Sequence, residues 1–188
     1  MTHSHLLLKI AREAIKEELI GKKLIDRDAL LSAYPELAQQ QAVFVTIYKK
    51  TNGKKQLRGC IGSIVPVRSL IDDLIINAKA AAFQDPRFSP LRIEEWDDVS
   101  LEISLLSIPE VVTYKDKEEL KRKIIPFQHG VILSLSGRKA TFLPQVWEKI
   151  PDFDLFFNQL CLKAGLPENC LDFHPEIRVY SVEEIKET

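Results

Sequence analysis

Arg58, Gly59, Cys60 and Gly62 put a guanidinium, a thiol and two side-chain-free peptide units within five residues. A cysteine beside a cation is the pattern of an activated nucleophile or thiolate ligand, because a positive neighbour favours the thiolate. An apolar wall disfavours it, and a buried structural thiol between two bulge glycines is the competing reading. Glycines at 59 and 62 let a ligand or a second strand approach the backbone closely, and their amides can receive an oxyanion or phosphate. In this arrangement Arg58 holds the anionic group. Asp85 and Arg87 flank Pro86 just ahead of Phe88, and Asp85 is either a site carboxylate or the organiser of a turn, with Arg87 as its ionic partner. His129 is either a general base for Cys60 or a strand-end histidine. Cys60 and His129 are thus the catalytic candidates. Arg58, Gly59, Gly62, Asp85 and Arg87 are the substrate- or partner-binding ones. Three cysteines, Cys60, Cys161 and Cys170, with no C-x-x-C pair, spell neither a disulfide scaffold nor a zinc site. Free thiols are expected, the last two structural, and no metal site is assigned.

The elements that must position these residues follow from hydrophobic period. Leu8, Ala11, Ile15 and Leu19 form one helical stripe closed by Gly21, and Arg27 to Leu31 forms a second short helix. Val43 to Tyr48 and Gln56 to Ile61 read as strands around Asn52-Gly53. A two-residue turn there pairs Thr51 with Lys54, sets Arg58 across from Ile47 and Cys60 across from Val45, and puts Arg58, Cys60 and Gly62 on one strand face. Ser69 to Gln84 is a core-facing helix stopped by Asp85-Pro86. Val99 to Leu105 alternates as a strand. A charged helix or turn follows at 116–123, then a hairpin of 131–135 with 139–143, helices at 144–148 and 152–164, and a last strand at 176–182. This order predicts an α+β fold, a mainly antiparallel sheet with flanking helices, in one domain over 5–185 with no visible linker.

Composition bounds the function. The chain has 188 residues, with 26 Lys plus Arg against 27 Asp plus Glu, which argues against a broad electrostatic grip on nucleic acid or anionic lipid. A local patch is a separate matter: residues 1–60 carry eleven basic and six acidic side chains, and 61–120 six and twelve. Nucleic acid is therefore a weakly supported partner, and a protein of complementary charge suits the polarity as well. The longest uncharged run, 124–137, is too short and polar to span a bilayer, and the N-terminus lacks signal-peptide character. A cytoplasmic protein without a membrane partner is expected.

Leu57-Arg-Gly-Cys-Ile-Gly62 resembles the signature hexapeptide of the AMMECR family. Ala80-Ala-Ala-Phe-Gln-Asp-Pro-Arg-Phe-Ser-Pro90, Ile103-Ser-Leu-Leu106, His129-Gly130 and Ala140-Thr-Phe-Leu-Pro-Gln-Val146 are similar to later family segments, in order. The resemblance covers about residues 5 to 185 and is strongest to the short prokaryotic form, the A protein of the AmmeMemoRadiSam system. It implies an α+β fold with two unequal lobes, and its matching positions add Phe88 and Thr141 to the substrate- or partner-binding candidates. It also implies a shared system with a Memo-like protein and a radical S-adenosylmethionine enzyme, and it leaves the cofactor unknown. Two functions follow as expectations. One is an enzyme or enzyme accessory subunit using Cys60 with Arg58; the other is a non-enzymatic binding or scaffold module for a protein or RNA partner.

Overall fold

A computed structural model describes residues 3–51 and 53–187. The elements are α1 (His3–Ile20), α2 (Arg27–Ala33), β1 (Val43–Thr51), β2 (Lys54–Gly62), α3 (Leu70–Phe83), β3 (Val99–Leu106), β4 (Glu110–Val112), α4 (Lys117–Lys123), β5 (Gly130–Leu135), β6 (Arg138–Phe142), α5 (Val146–Lys149), α6 (Phe153–Lys163), β7 (Glu176–Tyr180) and β8 (Val182–Lys186). Short 3-10 helices span Pro35–Ala38, Ile93–Asp98 and Cys170–Phe173. The fold is α+β, but the single sheet expected is two antiparallel sheets, ordered β2-β1-β3-β8 and β4-β7-β5-β6. The chain forms two compact units, residues 3–106 with 183–187, and residues 107–182.

In the first unit α1 buries Leu7, Ile10, Ala11, Ala14 and Ile15, and α3 buries Leu70, Ile71, Leu74, Ala78 and Ala81, against Val43, Val45, Ile47, Leu101 and Ile103 of the sheet. Gly21, at φ 65°, ends α1 in the left-handed conformation that glycine adopts without penalty. Ser69 caps α3 by accepting from the Asp72 N–H. One turn on, Asp73 is buried at 1% exposure. Its carboxylate accepts from Val43 N, Ser63 Oγ, Arg68 Nε and Asn77 Nδ2. Four donors offset the cost of burying the charge and tie α3 to the start of β1 and the exit of β2.

The second unit packs α5 and α6 against its sheet. Trp147 and Phe156, both fully buried, stack at 3.6 Å between ring centroids. Cys161 and Cys170 form a disulfide with Cα atoms 5.8 Å apart, which corrects the expectation of free thiols. The chain reverses after α6 through Gly165, at φ 71°, bringing two cysteines nine positions apart into bonding range. Ser181 ends β7 early: its N–H donates to Ser107 Oγ and its carbonyl accepts from Ser107 N. The following residues form β8 in the other sheet. Strand β4 was likewise absent from the expected order. Asn52, the first residue of the expected hairpin turn, lies outside the described residues; Gly53 has φ 73°.

Candidate functional site

Strand β2 is an edge strand, and its register on β1 is not the uniform one a two-residue turn predicts. Thr51 pairs with Lys54 and Tyr48 with Leu57, but Ile47 pairs with Gly59 and Thr46 with Cys60, the shift falling between Ile47 and Tyr48. Arg58 is the extra residue of a bulge. A one-residue slip changes which side chains share a face, and two expectations are corrected. Cys60 opposes Thr46, not the buried Val45. Arg58 turns to Glu95, which Lys49 also reaches from the Ile47 side of β1, while the thiol meets Thr46, whose Oγ1 donates to Sγ at 3.3 Å. Guanidinium and thiol therefore serve different sides of the strand.

The glycines are used from inside the protein. A Cβ on Gly59 would lie 2.1 Å from the carbonyl oxygen of Ala81, so its absence lets β2 pass against the α3 backbone. A Cβ on Gly62 would lie 2.1 Å from the Phe44 ring, which covers that position.

An oxyanion does reach this strand, and the protein supplies it. Oδ2 of Asp85 accepts from the Cys60 N–H at 2.9 Å. Asp85 Oδ1 accepts from the Arg87 N–H at 3.1 Å, closing a tight turn around Pro86, and the Arg87 guanidinium bonds the same carboxylate at 2.7 and 3.0 Å. Arg87 also donates to the Cys60 carbonyl at 3.3 Å. Both outward hydrogen-bonding groups of the Cys60 peptide are thereby filled. The Arg87 bonds, followed by the Cys60 N–H, hold the Asp85 carboxyl far below the usual carboxylate range even though its burial opposes this.

Arg58 is engaged in the same way. Nε and NH2 bond Glu95 at 3.1 and 2.9 Å, and Lys49 adds a third contact at 3.0 Å. The Arg58 bonds first, then Lys49, pull the Glu95 carboxyl down to about 2. Phe88 lies under both guanidiniums, its ring centroid 5.9 Å from that of Arg58 and 5.4 Å from that of Arg87. Glu95 was not among the sequence candidates. It lies 37 positions from Arg58 in an acidic 3-10 helix, and no local pattern announces the pair.

Across the sheet, register aligns Cys60 with Thr46 and Thr46 with Glu102. Lys186 of β8 lies 3.6 Å from the Glu102 carboxylate. A thiol, a hydroxyl, a carboxylate and an ammonium thus form one row over all four strands. Thr46 is buried, whereas Cys60 and Glu102 are half-buried. Tyr48, beside the row, has its phenol pushed up by burial and by the nearby Glu102 and Cys60. A larger opening of about 900 Å³ near α1 and β8 is lined by Lys9, Lys50, Asp97 and Asp98 and does not include Cys60 or Asp85.

His129 and Thr141 belong to the second unit. Nδ1 of His129 accepts from the Ile125 N–H at 3.1 Å. The neutral ring therefore carries its proton on Nε2 and has no free lone pair to act as a base. Burial shifts its pKa down, opposed by Glu110. Thr141 Oγ1 contacts the Val131 carbonyl at 2.8 Å and Tyr180 Oη at 2.9 Å, a buried structural network. Among the described residues no cluster of three or more His, Cys, Asp or Glu is arranged for a metal ion, and no helix is long and apolar enough to cross a membrane.

These features define an α+β protein with two antiparallel sheets and a clamped Gly-Cys edge strand. A profile of the AMMECR1 family matches residues 8–185. A protein of Methanothermobacter thermautotrophicus is 41% identical over 180 residues, covering 93% of this chain and 88% of the relative. One of Aquifex aeolicus is 37% identical over 187 residues, covering 96% and 91%. The crystal structure of the uncharacterized protein PH0010 from Pyrococcus horikoshii matches with a TM-score of 0.83 at 34% identity, over 97% of this chain and 90% of that one. The chain belongs to the AMMECR1 family.

Proposed function

We propose that this AMMECR1-family protein is an accessory subunit of an enzyme system, and that it presents the Cys60 thiol on a rigid strand to a partner or to a substrate held by one. The observation that carries the reading is the internal use of the charges around the hexapeptide. Glu95 takes Arg58, while Asp85 and Arg87 take the Cys60 peptide. A self-sufficient catalyst needs a base within reach of its nucleophile and a cation left for its substrate. Here the charged groups stiffen the strand, and the thiol beside Thr46 is the reactive group it offers. The similarity to the AmmeMemoRadiSam form supports a Memo-like protein and a radical S-adenosylmethionine enzyme as the partners.

Co-purification tests this. Tagged wild-type chain is expected to retain one or both partners, and alkylation of Cys60 or a Cys60→Trp substitution to reduce retention with the fold intact by circular dichroism. Equal retention by the alkylated protein, or none by the wild type, contradicts the proposal.

A further inference from the structure

The second unit holds a histidine fixed more firmly than a strand-end residue requires. Its N–H donates to the Ile125 carbonyl at 2.9 Å, its carbonyl accepts from Trp147 Nε1 at 3.0 Å, and Nδ1 accepts from the Ile125 N–H. The segment it closes contains Phe127 at φ 67°, a left-handed conformation that a bulky residue adopts only when its surroundings enforce it. Next to His129, Gly130 has no room for a Cβ, because the Tyr180 ring crosses it. Main chain, tautomer and ring direction are all set by neighbours. Among the described residues no hydrogen bond engages Nε2.

The imidazole borders a cavity of about 170 Å³ whose wall is completed by Ser107, Glu110, Val179, Tyr180 and Ser181. At ~30 Å³ per water this holds about six waters, or one small polar group rather than a sugar or a nucleotide. The chemistry of its wall is complementary in a particular way. His129 offers Nε2–H as a donor and cannot accept there. Glu110 offers an acceptor, and no ion pair among the described residues engages its carboxylate. Ser107 accepts from Ser181 N through Oγ and retains its own proton to donate. A carboxylate ligand would gain the His129 bond but meet the Glu110 charge. An amine would suit Glu110 but not the donor. A carboxamide has both halves, a carbonyl for Nε2–H and an N–H for the carboxylate. A metal ion is disfavoured, since binding at Nε2 requires a lone pair there and Nδ1 has no proton to give to its partner.

We propose that this cavity is a binding site for a neutral amide group, either a small free amide or the side chain of Asn or Gln on a partner protein. It is independent of the role assigned to Cys60. The test is NMR of the His129 ring in the full chain, titrated with propionamide, with propionate and with a blocked glutamine peptide. Long-range proton–nitrogen spectra should show Nε2 protonated. Propionamide should shift the His129 signals saturably and bind about tenfold more tightly than propionate, as a like-charge penalty near 1.4 kcal/mol requires. Glu110→Gln should abolish that preference. Tighter binding of the glutamine peptide than of propionamide identifies a protein side chain as the source, and weaker binding a free amide. A proton on Nδ1, propionate binding as well as propionamide in the wild type, or no shift with either amide ligand overturns the proposal.

Discussion

Asp85 and Cys60 are joined through the main chain: Oδ2 of the carboxylate accepts the cysteine's N–H at 2.9 Å, and Arg87, held by the same carboxylate, donates to the cysteine's carbonyl at 3.3 Å. A carboxylate and a guanidinium stand where a neighbouring strand would bond. They close the free edge of β2 at the peptide that carries the thiol, so the backbone beneath Sγ is fixed while Cys60 as a whole is half-buried.

The carboxylate is the organising half of that clamp. It is 2% exposed, whereas Arg87 is 55% exposed. Asp85→Ala leaves the Cys60 N–H without its acceptor and is expected to cost about 2–4 kcal/mol in urea denaturation. Arg87→Ala should cost about 1 kcal/mol, as for a largely exposed partner. Equal losses for the two variants would mean that the carboxylate does not hold the strand.

Acid should loosen this region in a defined window. Asp85 and Glu95 titrate below their unfolded values, Glu95 at about 2. Their stabilisation is therefore full above the unfolded pKa, near 4, and is lost as pH falls through the folded one. Stability should decline from about pH 5 downward. Glu95→Gln should lower stability at pH 7 by about 2 kcal/mol and make the acid decline shallower. A Glu95→Gln curve parallel to that of the wild type would refute the link to Glu95.

The two glycines of the hexapeptide differ in what they contact, and their substitutions should differ too. At Gly59 an added Cβ meets backbone, the Ala81 carbonyl, which cannot move without shifting α3; at Gly62 it meets Cγ of Phe44, which ring rotation leaves in place but which a χ1 change of this half-buried side chain can move. Gly59→Ala is expected to destabilise by about 3 kcal/mol or more and Gly62→Ala by about 1–2 kcal/mol. Thermal denaturation of the pair checks the order, and the reverse order would be incompatible with this packing.

The Cys161–Cys170 bridge closes a short loop, for which chain-entropy arguments give about 2–3 kcal/mol. Reduction, or Cys161→Ser with Cys170→Ser, should lower the melting temperature of the second unit, and an unchanged melting curve would show the bridge to be dispensable.

Much of the local structure was legible because it is periodic: the stripe of α1, the alternation of β3, and the Asp85 turn with its proline. What was not legible depends on contacts distant in sequence. The bulge at Arg58 cannot be seen from alternation, since it arises where Gly59 lets β2 approach the Ala81 carbonyl. Glu95 becomes the partner of Arg58 through packing alone. The expected last strand, 176–182, runs across the break at Ser181 and leaves out most of Val182–Lys186, because a single residue separates two strands that enter different sheets. The Cys161–Cys170 pairing follows from a chain reversal and not from a spacing motif. Cys60 itself was legible, and its setting was not: Thr46 replaced Val45 as its neighbour, and His129 has no lone pair free for it.

The proposed role requires Cys60 to be a reachable thiol on a clamped strand. Under native, non-reducing conditions iodoacetamide should add one label per chain, located at Cys60 by mass spectrometry, with Cys161 and Cys170 unmodified and at a rate well above that of global unfolding. Labelling of Cys60 only after denaturation would contradict it.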